Sequence, residues 1–232
     1  MPEHHPGAGR DRFCFYICSS DIDASKKTRP RGGFSFARLP PARRNLHHLA
    51  MSSNPALFPS LLGEHWHQLA ASVQQMHGDT PHVLARGAAD VEGATNLPIR
   101  WLRHLLGLPE PGLQQPLEVT IERRGTREIW TRRFAGKQMR SVLDRVANSP
   151  LLSERLGPIT LRFELLRDDK IIDWQLRSAR MFGLPLPRMM FGAVLSRSGA
   201  QDGRYAFHID TRLPLLGRLV AYRGWLEIVD GD

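Results

Sequence analysis

The chain has 232 residues, two cysteines and a formal net charge of +9. That length suits one large β-rich domain, and no run approaches the roughly 18 apolar residues that span a membrane. The charge invites a nucleic-acid reading, but nine Lys/Arg and four Asp/Glu fall within residues 1–50, leaving 23 basic and 19 acidic residues over 51–232. There the charges interleave, as in IERRGTREIWTRRF (Ile121–Phe134), which is the pattern of solvated strand faces and speaks against nucleic-acid binding.

Residues 1–50 have no sustained period and are rich in Pro, Gly, Arg and Ser, so they read as a disordered tail or a start-site artefact, with Met51 as the better start. Cys14 and Cys18 lie there, near His4 and His5. Zinc spacing would need four ligands, so no metal is expected. The remaining domain, 51–232, carries no cysteine. It needs no oxidising compartment, and the cytoplasm is the default location.

Leu57–His77 reads as an amphipathic helix, with Ser60 as a candidate cap and Leu62, Trp66, Leu69, Val73 and Met76 on one face. His65, His67 and His77 flank that stripe and are expected at the surface or the helix end. Val83–Gly93 reads as a strand. Leu97–Leu108 reads as a short helix with Pro98 in its first turn; Trp101, Leu102, Leu105 and Leu106 form its apolar face, and Arg100, Arg103 and His104 the other.

From Leu117 the period changes to 2. LEVTIERR and EIWTRRF form a hairpin, Met139–Val146 is ambiguous between strand and helix, and ITLRFELL, IIDWQLRSARMF, AVLSRS, RYAFHIDTRL and RLVAYRGWLEIV follow as strands. The fold class is α+β, mainly antiparallel β: a curved sheet or lipocalin-like barrel of about eight strands with two N-terminal helices. A helix-grip, START-like fold is the alternative, although it needs a long C-terminal helix where this chain ends in a strand. Two apolar, proline-stiffened turns stand out, LLGLPEPG (Leu105–Gly112) and GLPLPRMMFG (Gly183–Gly192).

LLGEHW (Leu61–Trp66), HG (His77–Gly78), VEG (Val91–Gly93), TIER (Thr120–Arg123), WTRRF (Trp130–Phe134), GLPLPR (Gly183–Arg188), DGRYAF (Asp202–Phe207) and LPLLGRLVAYRGWLE (Leu213–Glu227) together resemble the bacterial domain of unknown function 4166, over roughly 57–229. The resemblance implies no established activity. In some members of that family a similar domain follows a dinucleotide-binding oxidoreductase domain, so it implies a possible oxidoreductase partner. No G-x-G-x-x-G follows a strand here, so no nicotinamide role carries over and no cofactor is expected.

No nucleophile elbow, H-E-x-x-H or P-loop is present, and the residues do not decide whether the protein is an enzyme. The chemistry-bearing candidates are polar residues within strands. His208, Asp210 and Glu164 are the acid–base candidates, with Glu92 beside them. Arg132, Arg223 and Trp225 are candidates for gripping an anionic head group. Leu184, Leu186, Met189 and Met190, with Phe191, are candidates for the apolar rim of a site, and Arg188 would stay near water. The expected function is binding of a small hydrophobic or amphipathic ligand. The alternatives are an acid–base enzyme or a docking module for an oxidoreductase. The plainer account of the strand-borne polar residues is that they are outward positions forming cross-strand charge pairs.

Overall fold

The computed structural model describes residues 56–229; the expectations for 1–50, the Cys14–Cys18 spacing included, lie outside them. Helix α1 (Leu57–Leu62), a 3-10 segment (Gly63–Gln68) and α2 (Ala71–His77) lead into β1 (His82–Glu92) and α3 (Leu97–Leu105). Then come β2 (Gly112–Arg124), β3 (Arg127–Phe134), β4 (Lys137–Arg145), β5 (Leu152–Leu156), β6 (Ile159–Asp168) and β7 (Ile171–Met181). The chain continues through β8 (Leu184–Pro185), α4 (Arg188–Phe191), β9 (Ala193–Gln201), β10 (Arg204–Leu213) and β11 (Gly217–Val229).

The strands pair antiparallel in the order β6-β5-β4-β3-β2-β1-β11-β10-β9-β7, and a β6–β7 pairing closes the ring. Ten strands therefore form a barrel, and β8 adds to β7 outside it. Closure removes the exposed edges that a long meander would otherwise present. The expected eight strands become ten because Leu152–Leu156 is only five residues long and because the ambiguous segment around Met139 is the strand β4. The closed ring, with no long helix across it among the described residues, departs from the helix-grip alternative.

Alternation dictates which side chains point inward. On β2 these are Leu117, Val119 and Ile121, and on β6 Phe163 and Leu165. Gly87 and Gly224 sit where β1 and β11 cross closely: a Cβ on either would come within 2.0 Å of the carbonyl oxygen of Trp225 or Ala88. Glycine there lets the two strands coil past each other, as barrel bending requires.

The first helix differs from expectation. Leu62, Trp66, Leu69, Val73 and Met76 are all buried, but the helix breaks twice. Gly63 turns with φ +57°, and Leu69–Ala70 is extended. Ser60 makes no cap; its hydroxyl donates to the Leu57 carbonyl at 2.7 Å. The breaks fold α1 and α2 into a compact plug that inserts both Phe58 and His77 into the barrel, which a straight helix could not do.

Candidate functional site

The plug closes the barrel end at which β1 begins. Phe58 lies 4.0 Å from His77 and 5.5 Å from Trp174, centre to centre. His77, expected at the surface or the helix end, is the last residue of α2 and is fully buried, with Nε2 3.0 Å from the Tyr205 hydroxyl. Burial, aided by the positive charges of Arg123 and Arg132, holds the His77 pKa well below its ordinary value, so the ring stays neutral. Arg123 ties the plug to the wall: Nη2 donates to the Met76 carbonyl at 2.6 Å, and Nε to Glu128 at 3.0 Å. Glu128 also accepts from Trp130 Nε1 at 2.8 Å. Burial raises the Glu128 pKa despite Arg123 and Trp130, which pull it down.

Above the plug lies a cavity of about 310 Å³, within the size range of small-molecule sites. Its wall is mostly apolar, with Leu117, Met139, Leu161, Phe163, Phe207 and Leu219 among the lining residues. The polar exceptions converge from neighbouring strands. Arg132 Nη1 donates to the Ser141 hydroxyl at 2.9 Å, Nη2 stands 3.4 Å from Glu154, and the guanidinium lies 4.8 Å from the Trp130 ring centre. Across the cavity, Trp174 Nε1 donates to Ser198 at 3.2 Å. Burial raises the pKa of both Tyr205 and Tyr222, so these hydroxyls remain protonated donors.

The opposite end is the mouth. Strands β7 and β9 pair at Ile172–Ser198 and Asp173–Arg197, whereas Arg180 and Met181, further along β7, pair with β8. Helix α4 packs against β7 and β10 and supplies Met190 and Phe191 to the cavity, joined by Leu186. Helix α3 contributes Leu102, and Leu106 and Leu108 follow from its end. The two proline-stiffened turns therefore meet at one opening. Hydrogen bonds to backbone carbonyls stitch the rim together: the Asn96 side-chain Nδ2 donates to the Leu216 carbonyl at 3.1 Å, and the Phe182 amide to the Pro158 carbonyl at 2.9 Å.

The face expected of α3 is also rearranged. Asn96 caps it by accepting from the Ile99 amide at 3.1 Å. Arg103, expected on the polar face, is buried and donates to the Ala94 carbonyl at 2.7 Å. Trp101 and Leu105, expected on the apolar face, point to solvent. The reason is that α3 lies across the mouth, where Ile99 is buried and Arg103 braces the β1–β2 connection at Ala94 while Leu102 faces the cavity.

Of the residues singled out in the sequence, Arg132, Leu186, Met190 and Phe191 line this cavity. Leu184 and Met189 stand exposed on its rim, as does Arg188. The others face outward on the wall. Glu164 pairs with Arg177, Glu92 with Arg218, and Arg223 lies 4.0 Å from Asp90. Trp225 is covered by Arg204, whose guanidinium is 4.3 Å from the ring centre. Burial raises the Asp210 pKa, but hydrogen bonds from Arg212 and Arg218 outweigh it and leave the carboxyl below its ordinary value. Burial lowers His208, against the pull of Asp210. Glu164, His208 and Asp210 thus do not meet in the cavity. Glu154, Ser141, Tyr205, Tyr222 and the buried His77–Glu128 region were not singled out. Glu154 had a signal, since Leu152, Glu154 and Leu156 alternate with Ser153 and Arg155.

Fold and site together define a closed antiparallel β-barrel plugged at one end, with an apolar cavity open at the other. The chain matches the family model described as Domain of unknown function (DUF4166) over residues 69–226, and it belongs to that family. No curated protein and no solved structure matches it. Among the described residues no helix is long and apolar enough to cross a membrane, and no group of three or more His, Cys, Asp or Glu is placed to hold a metal ion.

Proposed function

We propose that the barrel binds a small hydrophobic or amphipathic molecule, as a lipocalin-like container acting in the cytoplasm. The observation that carries this reading is the cavity of about 310 Å³, walled by apolar side chains and open at the end where the two proline-stiffened turns meet. Prolines preset those turns, so little entropy is lost in holding Leu186, Met190 and Phe191 at the entrance. Met190 supplies an adaptable surface for ligands of varied shape. Arg132, with Ser141 and Glu154, is the polar anchor in an otherwise greasy wall, suited to orienting the polar end of an amphipathic ligand.

The test is native mass spectrometry of the protein purified from its host. A co-purifying lipid or apolar metabolite is expected, and Leu186→Asp should remove it while circular dichroism stays unchanged. If the wild-type protein carries no such molecule and Leu186→Asp unfolds the domain, the turns are only a lid on the core and the reading fails.

A further inference from the structure

We propose that the mouth end is a docking surface for an anionic lipid bilayer. Among the described residues, every exposed large hydrophobic side chain except Leu166 lies at this end. Trp101 (67% exposed) stands on α3, Phe182 and Leu184 on the turn after β7, Met189 (80% exposed) on α4 and Leu215 on the β10–β11 turn. Three separate stretches of the chain converge on one rim, and exposed apolar surface of that extent marks an interaction face. The mix of a tryptophan with Leu, Phe and Met is suited to the boundary between head groups and acyl chains, where an indole sits at head-group depth.

Charge selects the occupant. The rim segments 97–112, 134–137, 155–159, 180–193 and 212–217 contain one acid, Glu110, and it faces the buried Arg103. The same segments carry Arg100, Lys137, Arg155, Arg180 and Arg188, none of which pairs with an acid among the described residues. One step back along the strands, Glu92 and Asp210 are both held by Arg218. Cations ringing an apolar crown complement anionic head groups. A second copy of this chain docked mouth to mouth would instead bring like charges together, which is costly. Because the cavity opens on the same face, docking would set its entrance against the acyl layer. The docking itself stands whether or not the cavity holds a ligand.

The experiment is flotation of the full chain with vesicles of phosphatidylcholine alone and of phosphatidylcholine with about one-third phosphatidylglycerol. Wild type is expected to float with the anionic vesicles, and partitioning should drop at least about tenfold without the anionic lipid or at about 0.5 M salt. The double variant Leu184→Asp/Met189→Asp should lose binding by a similar factor, and Arg100→Glu/Arg188→Glu should do so at low salt. All four positions are exposed, so circular dichroism and urea midpoints should not move. Full-length wild type that fails to float with anionic vesicles overturns the proposal. So do rim variants that float as well as wild type, which would place binding elsewhere in the chain. Sedimentation velocity adds a third arm: a dimer abolished by Leu184→Asp/Met189→Asp would assign the rim to a second copy and overturn it too.

Discussion

At one end of the barrel, Phe58 and His77 are fully buried against Trp130 and Trp174; at the other, Trp101 and Met189 point into solvent. The same antiparallel strands reach both ends, so the sheet does not make this difference. The inserted segments do. Before β1 the chain folds back into the barrel and is locked there by Arg123, whereas the insertions after β1 and β7 lie across the opening and keep part of their apolar surface outside. Charge follows the same division. Turns at the plug end mix signs, as in Arg167–Lys170 (RDDK), while the mouth is almost purely cationic. One end has the composition of a core and the other that of an interface.

The sharpest way to break this contrast is to truncate an aromatic at each end. Phe58→Ala should cost about 3–5 kcal/mol, because the ring is fully buried and the surrounding aromatics collapse only partly into the void. Met189→Ala should change stability by less than about 0.5 kcal/mol. Urea denaturation of the two variants checks both values, and equal effects would show that the ends do not differ as described.

Next in size is the ion pair at the plug. Arg123 and Glu128 are about as buried as charges can be, at 5% and 1% side-chain exposure. Glu128→Gln strips Arg123 of its counter-charge in a low-dielectric setting and should cost about 3 kcal/mol. Glu154→Gln acts on a longer contact, 3.4 Å, beside an open cavity, and should cost about 1 kcal/mol. Denaturant midpoints for both variants test that order.

The plug should also make stability pH-dependent. The folded-state pKa of His77 lies below the ordinary value of 6.5, so below that pH the unfolded chain binds the extra proton. The contribution is complete above about pH 6.5 and is lost as pH falls, with a slope of at most about 1.4 kcal/mol per pH unit. Glu128, raised by burial above its ordinary 4.5, works in the opposite sense: it favours the folded state as pH falls toward 4.5. His208 has the same sign as His77. Comparing wild type with His77→Phe across about pH 5–7.5 cancels both of the others, and the variant should show the shallower slope. Parallel profiles would place the titration elsewhere.

Much of the wall was legible in the sequence, because a half-buried strand writes its burial as alternation. RYAFHIDTRL is β10 from its first residue to its last, with Tyr205 and Phe207 inward as the period requires. The plug was legible in composition but not in shape. Its stripe gave the buried residues, yet nothing local states that Gly63 turns or that His77 is carried inside. The site was half legible for a related reason. Period 2 says which residues share a face but not which face is inner. Arg132 and Arg223 look equivalent on their strands, and only ring closure turns the first inward and the second outward. Glu154 was missed because its alternation runs over only five residues, a signal too short to stand out beside the longer strands.

The smallest expected effect lies on the wall between the two ends. Glu164 bonds Arg177 on the outer face, with 36% and 48% of the two side chains exposed. Water competes for both partners and salt screens them, so Glu164→Gln should alter stability by about 0.5 kcal/mol or less. It should also leave cavity occupancy and vesicle binding untouched, since the side chain reaches neither the cavity nor the rim. Arg132→Met provides the contrast from within the same barrel. It keeps an unbranched apolar stem but removes the guanidinium that lies over Trp130 and meets Ser141 and Glu154. Native mass spectra of the two variants should therefore diverge: Glu164→Gln retains the co-purifying ligand at the wild-type level, and Arg132→Met loses it or exchanges it for a less polar one. Loss of ligand from Glu164→Gln with the fold intact would mean that the outer wall takes part in function, and that the division between a functional mouth and an inert wall is drawn in the wrong place.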